Sequence, residues 1–94
     1  MNPLIDLGFD HQARIVPFGG DPHSGIDYYH KTPDGRECGG FITITDSAWA
    51  REFAHGTIET WDLISKEPLT LSPSLLCRAC GDHGFIRDGR WVKA

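Results

Sequence analysis

The sequence predicts an α+β fold that is mostly β: a small twisted antiparallel sheet or half-open barrel with one short helix. Three observations carry this expectation. Apolar residues alternate with Thr along Phe41-Ile42-Thr43-Ile44-Thr45, as on a strand with one buried face. Asp88-Gly89 stands between two β-prone triplets, Phe85-Ile86-Arg87 and Arg90-Trp91-Val92, a strong short-range hairpin signal. Only residues 46–55 carry helix punctuation, and near the C-terminus two cysteines sit in what reads as a tight turn.

The elements follow in chain order. Residues 1–12 are weakly patterned and read as a loose N-terminal arm on a single domain spanning 1–94. Residues 13–18, with Ile15, Val16 and Phe18, read as a strand. Gly19-Gly20-Asp21-Pro22 stops it, and residues 19–25 read as a surface loop because of their Gly, Pro, Asp and Ser content. A hairpin is expected from residues 26–31 and 41–45, turned by Thr32-Pro33-Asp34-Gly35, with Cys38-Gly39-Gly40 leading into its second strand. Over 46–55, Asp46 or Ser47 can cap a helix, Trp49 and Phe53 fall on one face, and Gly56 can end it. Residues 57–64 and 69–76 are further strand candidates, the second bent by Pro73.

Composition narrows the function classes. With 94 residues, 39% of them hydrophobic, the chain can pack one modest core that would benefit from a metal, disulfide or partner. A formal net charge of −4 speaks against nucleic-acid binding, and Arg87, Arg90 and Lys93 read as a solvated hairpin face. No apolar stretch approaches the roughly 20 residues that span a bilayer, so no membrane role is expected. No secretory leader is visible, and three cysteines cannot all pair within one chain; the expectation is a cytoplasmic protein with reduced thiols.

The most chemically specific stretch is Cys77-Arg78-Ala79-Cys80-Gly81-Asp82-His83. A Cys-x-x-Cys turn followed by Gly can aim two sulfurs at one point and turn backbone N–H groups toward them, a knuckle suited to Zn2+. A closed tetrahedral site needs four ligands. Cys38 is the natural third and His83 the fourth, with His30 and His55 as rivals. The same spacing also occurs in redox motifs and among inert thiols, but Gly81-Asp82-His83-Gly84 begins no helix of the redox type. His11 and His23 sit in loop-like sequence and read as solvated; Trp61 and Trp91 read as core.

His83 has a second possible role. Ser72 and Ser74 lie just upstream, and a serine with a histidine can form a nucleophile and its base, oriented by Asp82, Asp62 or Asp46. The bland alternative for both serines is turn capping around Pro73. A catalytic zinc with Glu52, Glu59 or Glu67 as base has no recognisable ligand spacing behind it.

The run from Leu69-Thr70-Leu71-Ser72-Pro73-Ser74-Leu75-Leu76-Cys77 through Cys80-Gly81-Asp82-His83-Gly84-Phe85-Ile86-Arg87-Asp88-Gly89-Arg90-Trp91-Val92 resembles a family of small domains of unknown function. These domains occur in phages and in bacterial operons encoding ubiquitin-like conjugation components. The resemblance covers residues 61–92, and before Trp61 it rests on Cys38-Gly39. It implies a compact β-rich fold holding zinc through cysteines, and a phage or host-cytoplasm setting. It also implies, for the operon-borne members, a serine peptidase that trims a ubiquitin-like tail, with Ser74 as nucleophile and His83 as base. The sequence departs from that pattern in having one N-terminal cysteine rather than a cluster, and a Cys-x-x-Cys just before His83. The function expected is a zinc-stabilised accessory module binding a ubiquitin-like or host protein; the alternative is a peptidase using Ser74 and His83.

Overall fold

The computed structural model describes residues 2–32, 34–54 and 59–94. The fold is mostly β and built from small antiparallel sheets, and no closed barrel forms among the described residues. The first sheet is a four-stranded meander in the order β1 (Ile5–Gly8), β2 (His11–Phe18), β3 (Asp21–Lys31) and β4 (Glu37–Thr43). A β5–β6 hairpin follows (Asp62–Lys66 and Leu69–Ser72). The chain ends in a three-stranded sheet of β7 (Leu75–Leu76), β8 (His83–Arg87) and β9 (Arg90–Lys93).

Side-chain alternation decides what each strand buries. Leu7 on β1, Ala13 on β2, Ile26 and Tyr28 on β3 and Ile42 on β4 face inward. Leu69 and Leu71 of β6, Leu75 of β7, Ile86 of β8 and Trp91 of β9 close the core from the other side, with Trp61 and Leu63 packed against it. The β8–β9 turn is the expected one: Asp88 and Gly89 take positive φ (51° and 73°), the two-residue geometry whose twist matches the strands. Its tip is clasped to β6, where Gly89 N–H donates to Leu69 O (2.8 Å) and Asp88 N–H to Thr70 Oγ1 (2.9 Å).

Three expectations are corrected. Within the N-terminal arm, residues 5–8 pair with β2, Leu7 is buried, and the β1–β2 turn is made by Phe9 and Asp10, both at positive φ. Residues 19–25 are not a displayed loop: Gly19 and Gly20 form a two-residue turn and β3 resumes at Asp21. The register jumps from Phe18–Asp21 to Val16–Gly25, so Pro22 falls in a bulge where its missing N–H breaks no ladder. The helix expected over 46–55 is, among the described residues, entered through Ala48 and Trp49 and continues as a π-helical turn at Ala50–Ala54, with Ser47 Oγ accepting from Ala50 N–H (3.1 Å). Trp49 and Phe53 do meet, at 4.5 Å between ring centroids, and pack with Phe18 and Phe41. His55, Gly56 and Ile58 lie outside the described residues.

Candidate metal centre and an adjoining serine–histidine pair

Strand register builds half of the centre. His11 on β2 stands opposite His30 on β3, and His30 stands opposite Cys38 on β4, so the three form one cross-strand row on the core face of the meander. The C-terminal sheet supplies the rest. The chain leaves β7 into a tight turn closed by Gly81 N–H to Cys77 O (2.7 Å) and Cys77 N–H to Asp82 O (2.8 Å), with Gly81 at φ +79°. Only a residue that tolerates the left-handed region closes such a turn without strain.

Cys77 follows the parity of buried Leu75 and points inward, and its turn carries Cys80 to the same place. His30, Cys38, Cys77 and Cys80 thus form a group whose ligand atoms all lie within 4.8 Å of one another, close enough to bind a metal ion. His30 Nε2 is 3.2 Å from Cys80 Sγ. Ligand bonds of about 2.0–2.3 Å arranged tetrahedrally place neighbouring donors somewhat under 4 Å apart, so the four residues fit such an ion with small adjustments.

The electrostatics suit the same use. Burial opposes a thiolate at Cys77. The backbone N–H groups of Cys80 and Ala79 and the neighbouring Cys80 and Cys38 thiols outweigh it, and its pKa lies below the usual 9.0. The Cys38 thiol is pushed up to about 11 by burial and then by the Cys80 and Cys77 thiols beside it. His30 is held below the usual 6.5, chiefly by burial, which favours the neutral, ligating imidazole.

A polar brace stands behind the group. His11, which reads as solvated in the sequence, is 5% exposed and lies between Trp91 (ring centroids 4.1 Å) and His30 (5.1 Å). Its Nδ1 donates to Phe9 O (2.6 Å) and its Nε2 meets Asp82 Oδ2 at 2.5 Å. Both neighbours are acceptors, so the ring is held from its two nitrogens between a backbone carbonyl and a carboxylate. Asp82 also lies within 4.8 Å of His30, whose Nδ1 is buried without a hydrogen-bond partner among the described residues.

His83 is not part of this group. It pairs with Leu76 across β7–β8, on the face opposite Leu75 and Gly84, and so points away from Cys77. On that outer face its Nε2 lies 3.0 Å from Ser74 Oγ, a diagonal neighbour across the two strands. Ser74 O accepts from Trp61 Nε1 (3.1 Å), which fixes the residue carrying the hydroxyl. The acids do not join them: Asp82 is turned inward to His11, Asp62 pairs with Ser72, and no carboxylate hydrogen-bonds His83 among the described residues. Ser72 sits at the end of β6, exposed. Sequence reasoning names Cys38, Cys77 and Cys80 together with His83; the close group instead takes His30, one of its rivals, and the brace residue His11 carries no motif that would mark it.

Among the described residues no helix is long and apolar enough to cross a membrane. Compared with known proteins, the chain matches no family model, no curated protein and no solved structure.

Proposed function

We propose that this is a zinc-stapled β domain that hydrolyses peptide bonds, with Ser74 as nucleophile and His83 as general base. The observation that carries the reading is the 3.0 Å contact between Ser74 Oγ and His83 Nε2 on an open face, made while a different histidine stands with the three thiols. Zinc is the assigned metal because a donor set of three thiols and one imidazole suits it, and its place is structural because four protein ligands leave no open position.

In this chemistry Ser74 Oγ attacks the carbonyl carbon as its proton passes to His83 Nε2. The C–N bond then breaks and His83 returns the proton to the leaving amine. Water, deprotonated by the same nitrogen, cleaves the acyl ester and restores Ser74. A ubiquitin-like C-terminal tail is the substrate that the family resemblance suggests.

The test is labelling with a fluorophosphonate probe. The zinc-loaded protein is expected to label at Ser74, and neither Ser74→Ala nor His83→Ala to label, with zinc retained in both. A wild-type protein that stays unlabelled defeats the hydrolase reading.

One observation favours a second reading, a zinc-stabilised module that binds a protein partner without chemistry. His83 lacks an orienting carboxylate among the described residues, and such a partner is what holds a catalytic imidazole in its tautomer. Under this reading, Ser74→Ala leaves the biological output unchanged.

A further inference from the structure

β7 is the outer strand of its sheet, in the order β7-β8-β9, and its free edge begins beside Ser74. The hydrogen-bond phase along that edge follows from the register. Cys77 N–H donates to Asp82 O, which makes 77 and 82 a hydrogen-bonded pair; the antiparallel alternation then makes Leu76 and His83 a non-bonded pair. The N–H and C=O of Leu76 therefore point away from β8, off the edge of the sheet. Ser74 obeys the same phase, its carbonyl reaching outward to Trp61 Nε1. No backbone partner takes the Leu76 N–H or C=O among the described residues.

The side chains agree with the backbone. Ser74, Leu76 and His83 share the outer face, because Leu75 and Gly84 take the inner one. Leu76 is 56% exposed, an apolar surface next to the hydroxyl. An unpaired strand edge satisfies its polar groups best with another strand, and pockets or apolar side chains along it select alternate residues of the added chain.

We propose that the substrate is an extended peptide segment that adds to β7 as a new strand, bonding through the Leu76 N–H and C=O and laying an apolar side chain on Leu76, so that a peptide carbonyl arrives at Ser74 Oγ. This rests on the hydrolase reading for the cleavage step and on the free edge for binding. A folded substrate does not fit the edge; an unstructured tail or loop does.

The experiment uses the full zinc-loaded chain with casein as an unfolded protein substrate. Mass spectrometry of the fragments locates the preferred cut, and an octapeptide spanning it is synthesised with each backbone nitrogen methylated in turn. Strand addition predicts a period of two: methylation of residues bonding to β7 lowers kcat/KM at least 10-fold, and methylation of those between changes it less than 2-fold. Cleavage with no such alternation overturns the strand inference and leaves the hydrolase standing. Where wild type neither cuts casein nor takes the fluorophosphonate, the hydrolase reading fails, and the edge is judged on Ser74→Ala protein by amide exchange. Slowing of the Leu76 amide by at least 10-fold in saturating casein upholds the added strand, and unchanged exchange overturns it.

Discussion

His11 and His30 face each other across β2 and β3, yet they serve different ends: His30 Nε2 reaches Cys80 Sγ at 3.2 Å, while His11 Nε2 is taken by Asp82 at 2.5 Å. Register brings both rings to one place, and the partner each finds there separates ligand from brace.

The first prediction separates the two candidate histidine ligands. If the group holds the proposed zinc, the His30→Ala protein is expected to lose the ion and the His83→Ala protein to keep one per chain, as read by native mass spectrometry. Because a structural zinc site folds with its metal, Cys77→Ala and chelator treatment of wild type should both lower the melting temperature by more than 10 °C, or about 2 kcal/mol or more in a domain of this size.

Asp82 tests the brace. Replacing it with Asn removes the charge facing His11 and the carboxylate near His30, while keeping size. Partners hydrogen-bonded to metal-ligating histidines are typically worth about 10–100-fold in metal affinity, and Asp82 acts on His30 only from nearby and through the stacked His11 ring, which places it at the low end. Competition with a zinc-binding dye should show a weakening of that order for Asp82→Asn. Asp62→Asn, which pairs with Ser72 on β5–β6, should show none.

Two buried glycines make a stability contrast. A Cβ on Gly84 would lie 2.5 Å from Trp91 Cζ2 and 2.6 Å from the Val92 carbonyl oxygen, and that backbone oxygen cannot move without breaking β9 pairing. The three atoms nearest a Cβ on Gly25 all belong to the Phe41 ring, which is 38% exposed and can swing outward at the cost of its contact with Trp49. Gly84→Ala is expected to cost about 1–3 kcal/mol by urea unfolding, and Gly25→Ala less.

Asp21 gives a pH dependence. The N–H groups of His23 and Ala48 donate to its two oxygens at 2.9 and 3.1 Å, and these bonds, the His23 one foremost, hold its pKa below the usual 3.8. A carboxylate depressed by folding contributes stability that is whole above its unfolded pKa and is lost as pH falls through the folded one. Asp21→Asn should therefore be less stable than wild type at neutral pH, by about 1 kcal/mol as for a lost helix cap, and the two curves should converge below pH 3.8. Thermal melts across that range check it.

Local signals were the legible part of the fold. The Asp88-Gly89 hairpin, a strand through Ile42 and the Ser47 cap all depend on neighbours within a few residues, and each is present, although the strand runs over Glu37–Thr43 rather than 41–45 and buries Thr43 beside Ile42. What escaped depends on register and parity. His83 stands three residues from Cys80 in sequence, but it lies across β7–β8 from Leu76, on the side away from Cys77. His30 lies far from the Cys-x-x-Cys turn in sequence; strand register sets it beside Cys38, and packing of the meander on the C-terminal sheet brings it to the turn, which no local pattern encodes. The stretch 19–25 misled through composition, because Gly, Pro, Asp and Ser mark both loops and the bulged start of a strand. His11 was hidden by a β1–β2 turn built on Phe9 and Asp10, which lacks the usual glycine.

The four-residue group draws on strands β3 and β4 from one sheet and on the turn after β7 from another. Its consequence lies in assembly order. Each hairpin can form from its own turn chemistry, whereas the group ties the meander to the C-terminal sheet beside their shared core, through residues distant in the chain. If the group holds the proposed metal, a chain synthesised without it would keep its hairpins but lose that tie, leaving the core around Leu7, Ile26 and Ile86 easier to open to proteases and to other chains. Metal supply would then set how much of the protein survives, before any question of what it binds or cuts.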